Sequence, residues 1–196
     1  MQALTPSQAF RDRPGGMSSR GFTIIELMVV VAIVAILATL AAPSFTPLIE
    51  RWRVRDAAEN LTSTLYYARS EAIKRGGNII IQTNTGTDWS SGWHVFFDAD
   101  NDTTQDACVV SDTPNECDLR VTAASTRVDT TLTGSTGKIS VDRWGMMSHS
   151  GSGSSAPTDL AFELLPHGKL NTDLSAANLC AGKGGRVERK KGSTPC

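Results

Sequence analysis

The chain has 196 residues, of which 40% are hydrophobic, 20% charged and 6% aromatic, and its formal net charge at pH 7 is −1. This size and composition fit one apolar segment and one globular domain, and they leave too little sequence for a second core. The low aromatic content beside abundant Gly, Ser and Thr favours β-structure and loops.

An apolar segment dominates the N-terminal part of the chain. Between Phe22 and Ala42 the only charged residue is Glu26. At about 1.5 Å of rise per residue, a helix of this length spans roughly 30 Å, which is the thickness of the hydrocarbon core of a bilayer. The segment therefore predicts a membrane-spanning helix.

A carboxylate inside this apolar segment needs a partner. A lone acidic side chain at the centre of a membrane helix costs about 2.5 to 3.5 kcal/mol on the most lenient scale. A cut after Gly21 gives Phe22 a free α-amine, and Glu26 of one subunit could then neutralise the amine of a neighbour in a helical bundle. The alternative is a secretory signal peptide, whose apolar core is shorter and whose cleavage site follows the apolar run.

The sequence around this cut carries a specific motif. Residues 21–27 read GFTIIEL, which resembles the class III signal of type IV pilins and type II secretion pseudopilins. The resemblance implies that a prepilin peptidase removes residues 1–21 as a leader and methylates the new amine of Phe22. It also implies that residues 22–47 form a transmembrane and filament-core helix. Met17 is an alternative start codon to Met1.

Two prolines follow the apolar segment, Pro43 and Pro47, and each removes an intrahelical hydrogen bond. We expect residues 40–47 to kink or locally unwind, with the kink at Pro43; a plain helix boundary is the alternative. From Leu48 to Arg75 apolar residues recur at spacings of three and four, which predicts an amphipathic helix that packs on a sheet. Its apolar stripe comprises Val54, Ala58, Leu61, Leu65, Ala68 and Ala72.

Short strand-like stretches separated by turn residues occupy the chain beyond residue 77. They predict hairpins in an antiparallel sheet, with Trp93, Val95 and Phe97 on one face of a strand. Residues 151–155 predict a flexible loop within the domain. The predicted strands cover residues 78–83, 92–98, 119–123, 128–133, 138–142 and 160–165.

All four cysteines, Cys108, Cys117, Cys180 and Cys196, follow the apolar segment. Cys-x-x-Cys spacing is absent and the three histidines are scattered, so no zinc site is expected. An even number of cysteines fits two disulfides in an oxidising compartment. Of the three possible pairings, sequence proximity favours Cys108 with Cys117 and Cys180 with Cys196.

The sequence offers little for catalysis or metal binding. It contains no Gly-x-Ser-x-Gly, P-loop or His-Glu-x-x-His motif, so neither an enzyme nor a cofactor is expected. Asp98, Asp100 and Asp102 imitate the start of a calcium loop, but Thr103 and Val109 stand where an EF-hand has Gly and Glu. We interpret these carboxylates as a solvated acidic turn and assign no metal site, with a weak calcium site as the alternative.

A glycine-rich basic stretch lies near the C-terminus. Glycines let a backbone approach a duplex closely, and cations neutralise phosphates. The stretch is therefore a candidate interface for double-stranded DNA, held as a rigid loop by the flanking cysteines; a solvated basic strand is the alternative. Its cations, opposed by Glu188, are Lys183, Arg186, Arg189, Lys190 and Lys191.

The order of stem, helix, strands and cysteine-tethered tail narrows the resemblance. Together with the segments Trp93–Asp98 and Asp142–Met146, it is similar to the GspH/FimT family of minor pilins and pseudopilins. This implies an α+β, type IV pilin-like fold, in which a long N-terminal α-helix packs on an antiparallel β-sheet with a disulfide-tethered C-terminal region. Residues 48–196 would be the exported globular domain.

The same resemblance implies a function and a location. The expected function is that of a minor pilin in type IV pilus assembly or priming; a GspH-like pseudopilin of type II secretion is the alternative. The expected partners are other pilins and minor pilins in a filament or tip complex. The expected location is the bacterial inner membrane, crossed once with the C-terminal domain in the periplasm, and the extracellular pilus after assembly.

Some FimT-like minor pilins are DNA receptors with a Gly-Arg-x-Arg motif near the C-terminus. Here residues 185–189 read GRVER, so the second arginine stands one position late. The DNA-binding role that the resemblance implies falls on Arg186 and Arg189.

Overall fold

The computed structural model describes residues 21–112, 114–149, 156–192 and 194–196. Within these ranges one α-helix precedes nine β-strands. The leader residues before Gly21 and the loop predicted at residues 151–155 lie outside the described residues.

The chain divides into two compact units, residues 1–43 and 44–196. Helix α1, Ile24–Arg75, contributes to both. In the described part of the first unit, every side chain from Gly21 to Leu40 is exposed. By length and composition, no single helix among the described residues could cross a membrane, and Ile24–Leu40 and Phe45–Arg75 meet that test only together, as a bent pair.

The break in this pair spans residues 41–44 and thus includes Pro43. The backbone nevertheless remains helical through residues 41–47. The local unwinding that was expected there as an alternative to a kink is therefore not observed. The specific kink at Pro43 stays a prediction.

In the second unit, the predicted amphipathic stripe of α1 is confirmed. All six of its residues are at most 2% exposed. The helix ends where predicted, because Gly76 and Gly77 have positive φ angles of 88° and 112°. Their amides both donate to the carbonyl of Ala72, at 2.9 and 2.8 Å, which caps the helix.

The strands form two antiparallel sheets rather than the single sheet expected. The first has the order β3-β2-β1-β5-β6 and the second the order β4-β7-β8-β9. The six predicted strands are present with shifted ends. Strands β6 and β8 were not predicted, and β9 corresponds to the basic strand that was the alternative interpretation of the tail. The bounds are β1 Ile79–Thr85, β2 Asp88–Phe97, β3 Asp118–Thr122, β4 Val128–Leu132, β5 Lys138–Val141, β6 Met147–Ser148, β7 Leu160–Pro166, β8 Ala177–Ala181 and β9 Val187–Lys191.

Both sheets contribute to one core over the α1 stripe. The Trp89 ring lies 6.0 Å from Trp93 and 5.2 Å from Phe162, and so links the two sheets. The Trp93 indole donates to Thr64 Oγ1 at 3.2 Å, which satisfies a buried polar pair. Because the buried hydrophobic residues run from Val54 to Ala181, residues 44–196 have a complete core, and we expect them to fold without the preceding segment.

Substitution of Gly92 tests how closely β2 and β3 approach, with Gly168 as the control, because both glycines have a positive φ. A Cβ on Gly92 would lie 2.4 Å from the Thr122 carbonyl oxygen, whereas a Cβ on Gly168 meets nothing within 4 Å. We expect Gly168→Ala to lower the free energy of unfolding of residues 44–196 by about 1 to 2 kcal/mol through backbone strain alone. Gly92→Ala should lower it distinctly more in urea unfolding, because the β3 backbone must move. Equal losses in the two variants would contradict the close approach.

Candidate functional site

The start of α1 carries a capping box. Glu26 N donates to Thr23 Oγ1 at 3.2 Å, and Thr23 N and Oγ1 each lie 3.4 Å from Glu26 Oε2. Thr23 therefore caps the helix and Glu26 reaches back to it. This capping role was not predicted from the sequence, although the Thr-x-x-Glu spacing is typical of it.

The apolar residues that follow are solvent-exposed in the isolated chain. Phe22, Ile24 and Leu40 are 77%, 81% and 72% exposed. A contiguous apolar surface of this extent marks a site that is covered by a membrane or by other protein. The segment from Phe22 to Leu40 is thus an interaction surface along its whole length.

The acidic turn is held together by its own backbone. Oxygen atoms of Asp98, Asp100 and Asp102 lie within 4.8 Å of one another. Asp98 accepts hydrogen bonds from the amides of Asp102 and Thr103 at 3.2 and 2.9 Å, and Asp102 accepts from Thr104 at 2.6 Å. The carboxylates therefore close the turn, and we assign them this structural role.

Glu116 joins the two ends of the same loop. Its carboxylate accepts from the amides of Ala99 and Asp106, at 2.8 and 2.7 Å. Burial raises the pKa of Asp98, and the nearby Glu116 charge raises the pKa of Asp106. Hydrogen bonds from the backbone amides of Thr103 and Asp102 offset this effect only in part at Asp98, so the pKa values of both carboxyl groups remain raised.

The basic tail is a strand and a tight turn, rather than a free-standing loop between two cysteines. Strand β9 pairs with β8 in the register Leu179 with Arg189 and Cys180 with Glu188. The connecting turn is closed by the bond from Gly182 N to Arg186 O at 2.9 Å. The tail thus forms the edge of the second sheet.

Strand geometry divides the predicted DNA-binding cations. Lys183 and Arg186 lie in the turn. Arg189 and Lys191 share the face of their buried partners Leu179 and Ala177, whereas Lys190 lies on the opposite face. The structure therefore does not bring the five cations together as one cluster.

The tail cations also differ in their partners. The Arg186 guanidinium lies 3.7 Å from Glu188, and Lys190 Nζ donates to the Pro195 carbonyl at 3.0 Å. Lys183, Arg189 and Lys191 have exposed side chains for which no partner is found among the described residues. These three are the cations most readily available to an anion.

Arg69 of α1 positions the turn, a role that no local sequence pattern indicates. Its Nη1 donates to the Gly184 carbonyl at 3.1 Å. A Cβ on Gly185 would lie 1.7 Å from the same nitrogen, and a Cβ on Gly145 would lie 2.6 Å from Arg69 Cγ. The long side chain therefore passes between two loops at positions where only glycine leaves room for it.

Two disulfides secure the second unit. Cys108 is bonded to Cys117 and Cys180 to Cys196, which is the pairing that sequence proximity favours. The second bond joins β8 to the residue that ends the chain, so it tethers the segment beyond β9. Asn178 assists it, because its side-chain amide donates to the carbonyls of Gly192 and Thr194, both at 2.8 Å.

Comparisons with known proteins agree with this architecture. The family model for type II transport protein GspH matches residues 57–180, and the model for the prokaryotic N-terminal methylation motif matches residues 16–42. The structure of the type IV minor pilin FimU of Pseudomonas aeruginosa has a similar fold, with a TM-score of 0.53 and 20% identity over 76% of this chain and 96% of that chain.

Two curated proteins are similar over shorter stretches. Pilin-like protein PilA1 of Thermus thermophilus is 34% identical over 42% of this chain and 50% of its own length. Type II secretion system protein H of Xanthomonas campestris pv. campestris is 35% identical over 29% of this chain and 34% of its own length. The chain thus spans half or less of the length of the curated relatives that it matches.

The fold and the N-terminal motif together define a type IV pilin-like protein. Because the GspH model matches more than half of the sequence, the chain belongs to the GspH/FimT family of minor pilins and pseudopilins. Proteins of this family are structural components rather than enzymes, as the absence of catalytic motifs in the sequence predicted.

The tail disulfide provides a test of how β9 is held. Closing a loop of about 16 residues is worth roughly 3 kcal/mol in the chain-entropy model. We expect the Cys180→Ser, Cys196→Ser variant of residues 44–196 to lose about this much unfolding free energy. Amides of β9 should exchange with deuterium faster, while those of β1 in the other sheet keep their order of protection. Unchanged β9 protection would show that strand pairing alone holds the tail.

Proposed function

We propose that this chain is a minor pilin of a type IV pilus, cut by a prepilin peptidase after Gly21 and methylated at Phe22. It is anchored in the inner membrane by the apolar half of α1 before it assembles, with residues 48–196 in the periplasm. The observation that carries the proposal is the exposed apolar surface from Phe22 to Leu40, within the match to the methylation motif. When the subunit leaves the membrane, other pilins bury this apolar surface in the filament or its tip complex.

The alternative is a type II secretion pseudopilin, which would share the fold and the N-terminal motif. Two features favour the pilus. The tail is tied back by the Cys180–Cys196 bond, and its edge strand presents Arg189 and Lys191 to solvent, which suits a subunit with an outward-facing surface.

The role of Glu26 follows from the geometry of its cap. Both contacts of its carboxylate with Thr23 are long, at 3.4 Å. A charge-assisted bond to the α-amine of a neighbouring Phe22 would be shorter and about twice as strong. In the apolar interior of a filament, an unpaired carboxylate is costly. Glu26 therefore caps the helix in the free subunit and exchanges this contact for the neighbour's amine, which sets the register of assembly.

Three substitutions separate capping from charge pairing. Glu26→Gln keeps a side chain that can complete the capping box but removes the charge, whereas Thr23→Val removes the cap and keeps the charge. We expect Glu26→Ala and Glu26→Gln to be cut normally but to be incorporated at least about tenfold less, while Thr23→Val is incorporated nearly as the wild type. Immunoblots of membranes and sheared filaments measure processing and incorporation.

Normal incorporation of Glu26→Gln, together with a loss of incorporation in Thr23→Val, would show that Glu26 acts by capping the helix and not by pairing with the amine.

A strain that lacks this protein distinguishes a type IV pilus from a type II secretion system. Loss of surface filaments supports the pilus, whereas loss of protein secretion with filaments intact supports the type II pseudopilin.

A second function, binding of double-stranded DNA by the tail, is favoured by the exposure of its cations. Lys183, Arg189 and Lys191 are exposed without a partner among the described side chains, so no internal ion pair must break before phosphate binds. Arg186 would first leave Glu188, from which it is 3.7 Å away. Because β9 is a sheet edge, a duplex could lie along it.

Salt dependence tests this function in residues 44–196. Each phosphate contact contributes about 0.9 to the slope of log affinity against log salt concentration. We expect Arg186→Ala, Arg189→Ala to weaken DNA binding and to reduce the slope by about 2. The matched control, Lys74→Ala, Arg127→Ala, removes two exposed cations outside the tail and should change neither. Absence of binding at low salt, or equal loss in both variants, would exclude a DNA-binding tail.

A further inference from the structure

One end of the exported unit is both basic and apolar. A groove of about 450 Å³ lies between the first turns of α1 in this unit and the end of β9. Among the described residues that line it there are five cations and no carboxylate. The cations are Arg51, Arg55, Arg189, Lys190 and Lys191.

Exposed apolar side chains accompany these cations. Leu174, which lines the same groove, is 85% exposed, and the nearby Leu170 is 75% exposed. Trp52 is 63% exposed, and the Arg55 guanidinium lies 5.9 Å from the centre of its ring. Arg55 is paired with Glu59, with 2.6 Å between Nε and Oε1, whereas Arg51 and Lys191 have no partner among the described residues. Exposed leucines and tryptophan beside such cations are unusual for a surface that contacts only water.

Hydrogen bonds and an ion pair hold the loop between β7 and β8, which carries Leu170 and Leu174. Ser175 Oγ donates to the Pro47 carbonyl at 3.4 Å, and Lys169 Nζ lies 3.8 Å from Glu50. On the other side, Gly192 N donates to the Ala176 carbonyl at 2.8 Å. The loop therefore links α1 to the end of β9. We call the combined area the basic apolar end: Arg51, Trp52, Arg55, Leu170, Leu174 and Lys191.

The chemistry of this surface matches one kind of partner. At a bilayer surface, tryptophan lies at the level of the headgroups, leucine enters the acyl boundary, and cations attract anionic lipid. A DNA duplex offers phosphates but no apolar layer for Leu170 and Leu174. The chain also enters this unit at Ser44, so three residues of the basic apolar end, Arg51, Trp52 and Arg55, follow soon after the apolar segment in sequence.

We propose that the basic apolar end docks on anionic phospholipid headgroups of the membrane in which the subunit is anchored. This inference rests on the proposed function, because it assumes an anchored pilin awaiting assembly. Docking holds the globular unit against the bilayer. Assembly then requires that these lipid contacts be exchanged for contacts in the filament.

Vesicle flotation of residues 44–196 tests the proposal without the apolar segment. We expect binding to vesicles of equal parts phosphatidylglycerol and phosphatidylcholine, and little binding to phosphatidylcholine alone. Each cation near an anionic surface contributes about fivefold, so Arg51→Glu, Lys191→Glu should weaken binding by at least about 25-fold. Leu174→Ser should weaken it at high salt as well, because its contribution is apolar.

The matched control reverses two cations elsewhere, in Arg143→Glu, Lys183→Glu. Arg143 lies beside Gly77, just beyond the far end of α1, about 36 Å along the helix from Arg51. This control should bind vesicles within about twofold of the wild type. Circular dichroism confirms that each variant is folded.

Three results would overturn the proposal. They are equal binding to both vesicle types, equal loss in the control variant, and self-association that depends on Arg51 and Lys191 without vesicle binding. The last would identify a second copy of the chain as the occupant. Failure here leaves the proposed pilin function standing, because processing and filament incorporation are measured independently in cells.

Discussion

The burial of one stripe of α1 is the interaction on which the unit of residues 44–196 depends. The stripe combines small and branched side chains, and buried residues of both sheets pack with it in one core. Each fully buried leucine contributes about 2 kcal/mol by area, and the stripe supplies Leu61 and Leu65 at 0% exposure. Arg69, one position after the buried Ala68, is directed from the same helix to the tail turn. The position of the tail is therefore set by the packing of the helix.

The two halves of α1 obey opposite requirements within one helix. In the proposed function the first half moves from lipid to protein partners, which requires it to be apolar on every side. The second half is apolar on one stripe, because the sheets cover only that face. Glu26 fits the first half since Thr23 satisfies its carboxylate locally, so the charge need not be left without a partner at any stage.

Much of the fold followed from the sequence, and the failures have physical causes. The stripe and six strands were predicted because apolar periodicity is a local signal. Strand β8 was missed because Ala177–Ala181 contains small side chains. Strand β9 was only the alternative to a loop, because Val187–Lys191 is mostly charged and shows no apolar alternation. The division into two sheets depends on which strands pair, which is a long-range property. The same holds for Arg69, whose partner Gly184 is 115 positions away.

The tail shows why a run of charge in a sequence is a poor guide to a binding surface. Arg189, Lys190 and Lys191 are adjacent in the chain, but the period of two in a strand places the middle one on the opposite face. Arg51 and Arg55, which are far away in sequence, line one groove together with Arg189, Lys190 and Lys191. The sequence could identify the cations but could not group them. The grouping decides the chemistry, because apolar side chains lie beside the cations at one end of β9, and exposed cations alone lie at the other.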